Sequence, residues 1–253
     1  MSARVDRLAI APVKGMRFTA ADALELGSTG AAGDRAFLVV DAVSHELVIS
    51  TRTPQLVQIV PALDARSRTL SLRFPGGSEV SAVVEPGASA TTANYAGRPI
   101  RGRLVEGPLA DAVSEHLGRR VALLERDAED RGADDAPVTL MSAASLAALA
   151  PELDGAVPDA RRFRMTIAID GVAAWEEHGW GGREIAVGEA VLRGIEPVRR
   201  CALTTCHPEE GRRDAPVLKA LASLRGPRDV TFGLWCEVLR PGRVRVGDAV
   251  RAK

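Results

Sequence analysis

The feature that most restricts how this chain can fold is the brevity of its apolar runs. "RLAIAPV", "AFLVVDA", "ELVIS", "LVQIVPALD", "TLSLRF" and "EVSAVVE" follow one another through the first hundred residues. Each is rich in Val, Ile and Leu, and Gly, Pro, Asp or Ser punctuates them. Branched side chains pack well on a pleated surface, and turn residues interrupt it. Strands at such close spacing predict a meander or barrel rather than alternating strands and helices.

The period then changes. In "PLADAVSEHLG", Leu109, Ala112, Val113, His116 and Leu117 recur at helical spacing, and Gly118 follows as a stop. "SAASLAALAPEL" predicts a short helix with Ser142 as N-cap. "APVLKALASLRG" places Val217, Leu218, Leu221 and Leu224 on one helical face. "VALLER", "RFRMTIAI" and "REIAVGEAVLRGIEPV" read as strands, and "DAEDRGADDAP" at 127–137 as an acidic loop. "FGLWCEVLRPGRVRVGDAV" reads as a hairpin about Pro241-Gly242, with a second turn at Gly247-Asp248. The expected fold is a β-rich α+β chain in two domains, 1–107 and 108–253, with a helical and loop connection at about 108–137.

Composition narrows the function class. In 253 residues, 33 basic side chains balance 33 acidic ones, which argues against a dedicated nucleic-acid binder. The hydrophobic share of 46% suffices for a core without staples. Three cysteines, Cys201, Cys206 and Cys236, argue against a disulfide framework and for a reducing compartment. No apolar run approaches the roughly 18 residues of a membrane span. The start "MSARVDRLAIAPVKG" lacks the layout of a signal peptide, so a cytoplasmic location and no membrane are expected.

Chemistry concentrates at "EPVRRCALTTCHPEEG", residues 196–211. Cys201 and Cys206 with His207 supply too few paired ligands for a zinc site, so zinc is not expected. Arg199 and Arg200 beside Cys201 favour its thiolate, the form that attacks electrophiles and binds soft metals. Cys236, in an apolar strand, is expected to be inert, and Cys206 is left open. No G-x-S-x-G, P-loop or G-x-G-x-x-G pattern occurs. Lys14, Arg35, Arg52, Arg164, Arg199 and Arg200 would form a site for a phosphate-bearing anion if the fold brought them together, because guanidinium groups bind such oxygens in bidentate fashion. Sequence periodicity cannot show that they converge.

"APVKGM", "GDRAFLVVD", "ISTRTPQLVQI", "LMSAASLAAL", "RFRMTIAIDG", "EEHGWGGREIAVGEAVL", "RRCALTTCHPEEG", "FGLWCEV" and "GRVRVGDAV" run in the order of a known family. The chain resembles the MOSC-domain proteins, most closely the group with an N-terminal β-barrel domain that includes the mitochondrial amidoxime-reducing component. The resemblance covers nearly the whole chain. It implies a molybdenum cofactor, a pterin dithiolene with a phosphate tail, whose metal takes a protein thiolate at the position of Cys201. Lys14, Gly15, Arg35, Arg164 and Arg200 match cofactor-contacting positions, as do Ser142 and Trp235 more loosely.

The chain also departs from that pattern. Gly15 replaces a common Ser, Thr166 a common Asn, Arg199 a common small polar residue, and His207 a common Asp. Arg199 and Thr166 are therefore further candidate cofactor contacts, and His207 a candidate proton relay. The implied activity is reduction of N-hydroxylated compounds, cleaving N–O to amine and water. With no four-cysteine iron–sulfur module, a monomer drawing electrons from a separate ferredoxin- or flavin-type protein is expected. The segment also lacks an aminotransferase-like, pyridoxal phosphate-dependent domain. A non-catalytic carrier of the cofactor or its sulfur is the alternative.

Overall fold

The computed structural model describes residues 2–128 and 134–253. The chain is a β-rich α+β protein, 42% strand and 18% helix. Among the described residues the strands form four sheets. The largest runs in the spatial order Val250–Ala252, Glu184–Val187, Ala190–Arg199, Thr231–Arg240, Val138–Ser142, Ile167–Asp170, Arg4–Ile10 and Thr19–Ala21. A four-stranded sheet holds Phe37–Asp41, Val121–Arg126, Pro99–Val105 and Pro86–Ala93. Val60–Asp64, Thr69–Arg73 and Glu79–Val83 make a meander.

Sheet membership does not follow a single cut in the sequence. The first strand pairs antiparallel with Ile167–Asp170, Leu8 opposite Ile167 and Arg4 opposite Asp170. Ala23–Gly27 pairs with Gly242–Arg245. Val121–Arg126 returns to pair with Phe37–Asp41. The division 1–107 and 108–253 is thus not a division of sheets, because residues at both ends of the chain cross it. One core fills the large sheet with Val5, Leu8, Leu140, Ile167, Ile169 and Leu234, and a second packs Phe37, Leu56, Leu70 and Leu123.

The helices form where the sequence places them. Pro108–Leu117 buries Leu109 and Val113 and ends at left-handed Gly118. Ala143–Ala147 is capped by Ser142, whose side chain accepts from the Ser145 amide. Val217–Arg225 buries Val217, Ala220 and Leu221.

Several expected strands are shorter or differently placed. "ELVIS" contributes only an isolated bridge from Leu47 to Val40. The run at 56–64 begins as a 3-10 turn, Pro54–Gln58, because Pro54 presets the first helical angle, and becomes a strand only at Val60. "RFRMTI" likewise starts as the 3-10 turn Ala160–Phe163. The expected hairpin at Pro241-Gly242 does not form. The chain turns a corner there, leaving the large sheet at Arg240 and joining the small sheet of Ala23–Gly27. The Gly247-Asp248 turn does form, with the Asp248 amide donating to the Arg245 carbonyl at 3.1 Å. Of the loop at 127–137, residues 129–133 lie outside those described.

Two measurements test this packing. A Cβ on Gly242 would stand 2.6 Å from the carbonyl carbon of Glu189 and 2.8 Å from the amide of Ala190, both backbone. Gly242→Ala should lower stability by about 1–3 kcal/mol, read as a lower urea midpoint. His178 accepts the Gly233 amide at Nε2, and burial, then Arg225, push its pKa down to about 4. The unfolded chain then binds this proton below about pH 6.5 while the folded chain does not until about pH 4. Its contribution is present above pH 6.5 and lost as pH falls toward 4. His178→Gln should flatten the stability profile across that window.

Candidate cofactor site

The cations converge where the two halves of the chain meet. Lys14 follows the first strand and is fixed by its amide, which donates to the Phe37 carbonyl at 2.8 Å. Its ammonium pairs with Asp134. Gly15 next to it has φ +91, and a Cβ there would stand 2.6 Å from Ser50 Oγ. Only glycine combines that backbone with that close approach. Asp34, 5% exposed, accepts the Ala11 amide at 2.9 Å and pairs with Arg35. Arg35 also meets Asp134, Nε to Oδ2, at 2.6 Å.

The second half adds Arg164 and Arg200. Arg164 ends the Ala160–Phe163 turn in left-handed backbone, φ 54 and ψ 42. Among the described residues its guanidinium takes neither an ion pair nor a hydrogen bond; it lies over the Phe18 ring, 4.8 Å from the centroid. The Arg200 amide donates to the Val230 carbonyl, and its guanidinium donates to the Phe163 carbonyl and lies 3.5 Å from Met165 Sδ. Its Nε is buried without a partner. Cys201 follows, exposed, at the start of the Ala202–Thr205 turn. The Cys201 carbonyl accepts from Thr204 Oγ1 at 2.9 Å.

The electrostatics are uneven. Burial opposes the charge of Arg35, but Asp34 and Asp134 outweigh it and raise its pKa. Burial would also raise Asp134, yet Lys14 and Arg35 hold its carboxyl well below the usual range. Asp34 is pushed up, because burial exceeds what Arg35 and the Ala11 amide return. Arg164 falls to about 10 through burial and then the like charge of Arg35. Arg200 also falls to about 10 through burial, eased by Cys201 and Asp134. Among the described residues, four cations, Lys14, Arg35, Arg164 and Arg200, face two carboxylates, Asp34 and Asp134, at this partly buried site. Such an excess is unfavourable without a counter-anion.

Not every expected residue joins this group. Ser142 is fully buried, and its hydroxyl is occupied by the Ser145 amide at 2.9 Å. Thr166 is fully buried, its hydroxyl 3.2 Å from that of Thr139. Trp235 packs against the cluster of Met141, Met165 and Phe232. Arg199 is exposed opposite Thr231, and Arg52 is exposed. Cys206 is buried with Sγ 3.9 Å from the Ala202 carbonyl, and burial pushes the Cys236 thiol up. His207 Nδ1 accepts the amides of Glu209 and Glu210, each at 3.3 Å.

Three members escaped sequence reading: Asp34, Asp134 and Phe18. Asp34 is adjacent to Arg35, which is a usable signal. Asp134 sits among other acidic residues of a polar loop, and Phe18 is one of five phenylalanines, so neither carries a local mark.

The comparisons with known proteins agree with this layout. Residues 2–120 match the MOSC N-terminal beta barrel domain, and residues 127–251 match the MOSC domain. The chain is 26% identical to the mitochondrial amidoxime reducing component 2 of Bos taurus, over 97% of this chain and 82% of that protein. It is 27% identical to the mitochondrial amidoxime-reducing component 1 of Mus musculus, over 97% and 81%. The human molybdenum cofactor sulfurase is 22% identical over 91% of this chain but only 29% of its own length. The crystal structure of the YUAD protein from Bacillus subtilis covers 100% of this chain and 96% of its own, at 14% identity and a TM-score of 0.47. With the two matches together spanning nearly the whole chain, it belongs to the MOSC proteins, a MOSC N-terminal beta barrel domain followed by a MOSC domain.

Proposed function

We propose that this protein is a molybdenum cofactor-binding oxidoreductase that reduces N-hydroxylated compounds, with electrons from a separate ferredoxin- or flavin-type donor. The observation that carries the reading is the convergence of Lys14, Arg35, Arg164 and Arg200, in which Arg164 has no ion pair among the described residues, with an exposed thiol, Cys201, next to Arg200 in the chain. The residues fit the cofactor on two counts. The excess positive charge and the partnerless Arg200 Nε suit a phosphate tail. Among the described residues no group of three or more His, Cys, Asp or Glu could hold a metal ion. A metal here would therefore bring most of its ligands with it, as a dithiolene does, and take a single soft donor from the protein.

Lys14, Arg35, Arg164 and Arg200 would hold the anionic tail, and Gly15 would keep the loop beside Lys14 close. Cys201 would supply the protein thiolate. When bound, the molybdenum centre would supply two-electron redox chemistry. The net reaction consumes one N-hydroxyl group, two electrons and two protons, and releases one amine and one water. The chain's own share is orientation and charge. Asp34 and Asp134 hold Arg35 and Lys14 in place, so the cradle is set before the ligand arrives. Two bovine and murine relatives named for amidoxime reduction support this substrate class. The exposure of Cys201 equally suits a carrier that passes on the cofactor or its sulfur.

Protein from a cofactor-producing host should contain molybdenum and reduce an N-hydroxylated substrate with an artificial donor. Cys201→Ala should lose that activity; equal turnover by both would remove Cys201 from the metal. Bound metal without turnover would favour the carrier. Arg164→Gln removes a charged donor, which costs about 1.5–3 kcal/mol of anion binding, roughly 10- to 150-fold in cofactor affinity. It also removes repulsion from Arg35, so the cofactor-free variant should melt no lower than wild type.

A further inference from the structure

Phe18 lies between two members of the cation cluster, Arg35 and Arg164. It is 4% exposed and packs with Ala9 and Ala11. Arg35 Cζ lies 4.9 Å from its ring centroid and Arg164 Cζ 4.8 Å. Both arginines have positive φ, 48 and 54, in a region that disfavours branched chains at Cβ and is rarely used by residues other than glycine and asparagine. Arg35 Nη2 also donates to the Arg164 carbonyl at 3.3 Å. Two partly buried like charges are thus held beside one aromatic ring, and among the described residues only Arg35 has carboxylate partners.

The physical question is what keeps Arg164 in place. Left to itself, a buried guanidinium swings toward a carboxylate or out to water. Asp34 and Asp134 are already engaged by Arg35 and Lys14. The negative face of an aromatic ring attracts a cation without neutralising it. A ring therefore fixes the guanidinium while leaving its N–H donors open to an incoming anion, which a carboxylate would not. The same ring lines a cleft with Arg161, Arg162, Arg164, Leu203 and His207, so it is also a wall of the cavity beside the cluster.

We infer that Phe18 is the positioning residue of this anion cradle, holding Arg35 and Arg164 ready for a phosphate ester or diphosphate group. The inference rests on the cradle of the proposed function but not on the metal, so the two can fail separately. Phe18 touches no reacting atom; it acts through the two arginines.

The test uses the full chain made without cofactor and inorganic pyrophosphate as the probe, titrated by calorimetry. Wild type binds, and Phe18→Leu and Phe18→Met each weaken binding by roughly 3- to 30-fold. Phe18→Tyr, which keeps the ring, restores affinity close to wild type. In an Arg164→Gln background, Phe18→Leu has a smaller effect than in wild type, because only the Arg35 contact is left to lose. If Phe18 merely fills space, Leu and Met lower the melting temperature while the folded protein keeps its affinity, and the inference falls. It falls also if wild type does not bind, or if the Phe18 and Arg164 effects add. Pyrophosphate binding by a wild type that takes up no molybdenum in a cofactor-producing host leaves the inference standing and overturns the metal reading instead.

Discussion

The site depends on Arg35 being held between two carboxylates. A buried guanidinium pays a large desolvation penalty, and Asp34 and Asp134 more than offset it. Removing one partner of such a pair typically costs about 3–5 kcal/mol, since the other is left buried and unpaired. Much else is hung from this residue. Its amide donates to the Ala11 carbonyl, its own carbonyl accepts from Arg126 Nε at 3.0 Å, and its guanidinium braces the Arg164 carbonyl. One residue, through backbone and side chain together, thereby ties the segment after the first strand, the Val121–Arg126 strand and the loop that follows Phe163.

That arrangement explains how a two-part chain makes one site. Lys14, Asp34 and Arg35 come from the first hundred residues, Asp134 from the connection, and Arg164, Arg200 and Cys201 from the second half. The first strand already lies in the large sheet beside Ile167–Asp170. The residues just before that pairing, Met165 and Thr166, therefore lie near the segment that leads to Lys14; the Ala9 amide donates to the Thr166 carbonyl at 3.0 Å. The crossing of the two halves brings the charges together, and the carboxylates make their proximity tolerable.

How much of this the sequence revealed follows from the range of each interaction. Helices were legible because their signals are local: the spacing of Leu109 and Val113, the stop at Gly118, the cap at Ser142. Strands were legible as apolar runs, but their partners were not. Phe232 to Val250 looked like a hairpin because Pro241-Gly242 has turn chemistry, yet that dipeptide turns a corner between sheets and Val244 pairs with Leu24 instead. Those partners are 220 positions apart, and no local pattern records their pairing. In the site, the pattern of a known family marked Lys14, Arg35, Arg164 and Arg200, which the structure brings together. Ser142 and Thr166 were marked in the same way, but their hydroxyls face partners inside the protein. Asp134 went unmarked because an acidic residue in an acidic loop is unremarkable until its cation is known.

The left-handed backbone of Arg35 and Arg164 completes the account. Such conformations cost of order 1–3 kcal/mol each and persist only where surrounding contacts over-determine them. Here the contacts are identifiable: two carboxylates and a carbonyl for Arg35, a ring and a fixed preceding turn for Arg164. A glycine would relieve the strain at either position and abolish the charge. At Arg164, which has no carboxylate partner among the described residues, a neutral side chain would avoid both desolvation and repulsion from Arg35, and keeping the charge there is the pattern expected when stability is exchanged for binding. An anion that neutralises Arg164 and Arg200 would recover part of that cost. A bound anion would then be a component of the fold's energetics, received by arginines whose positions Asp34, Asp134 and Phe18 already hold.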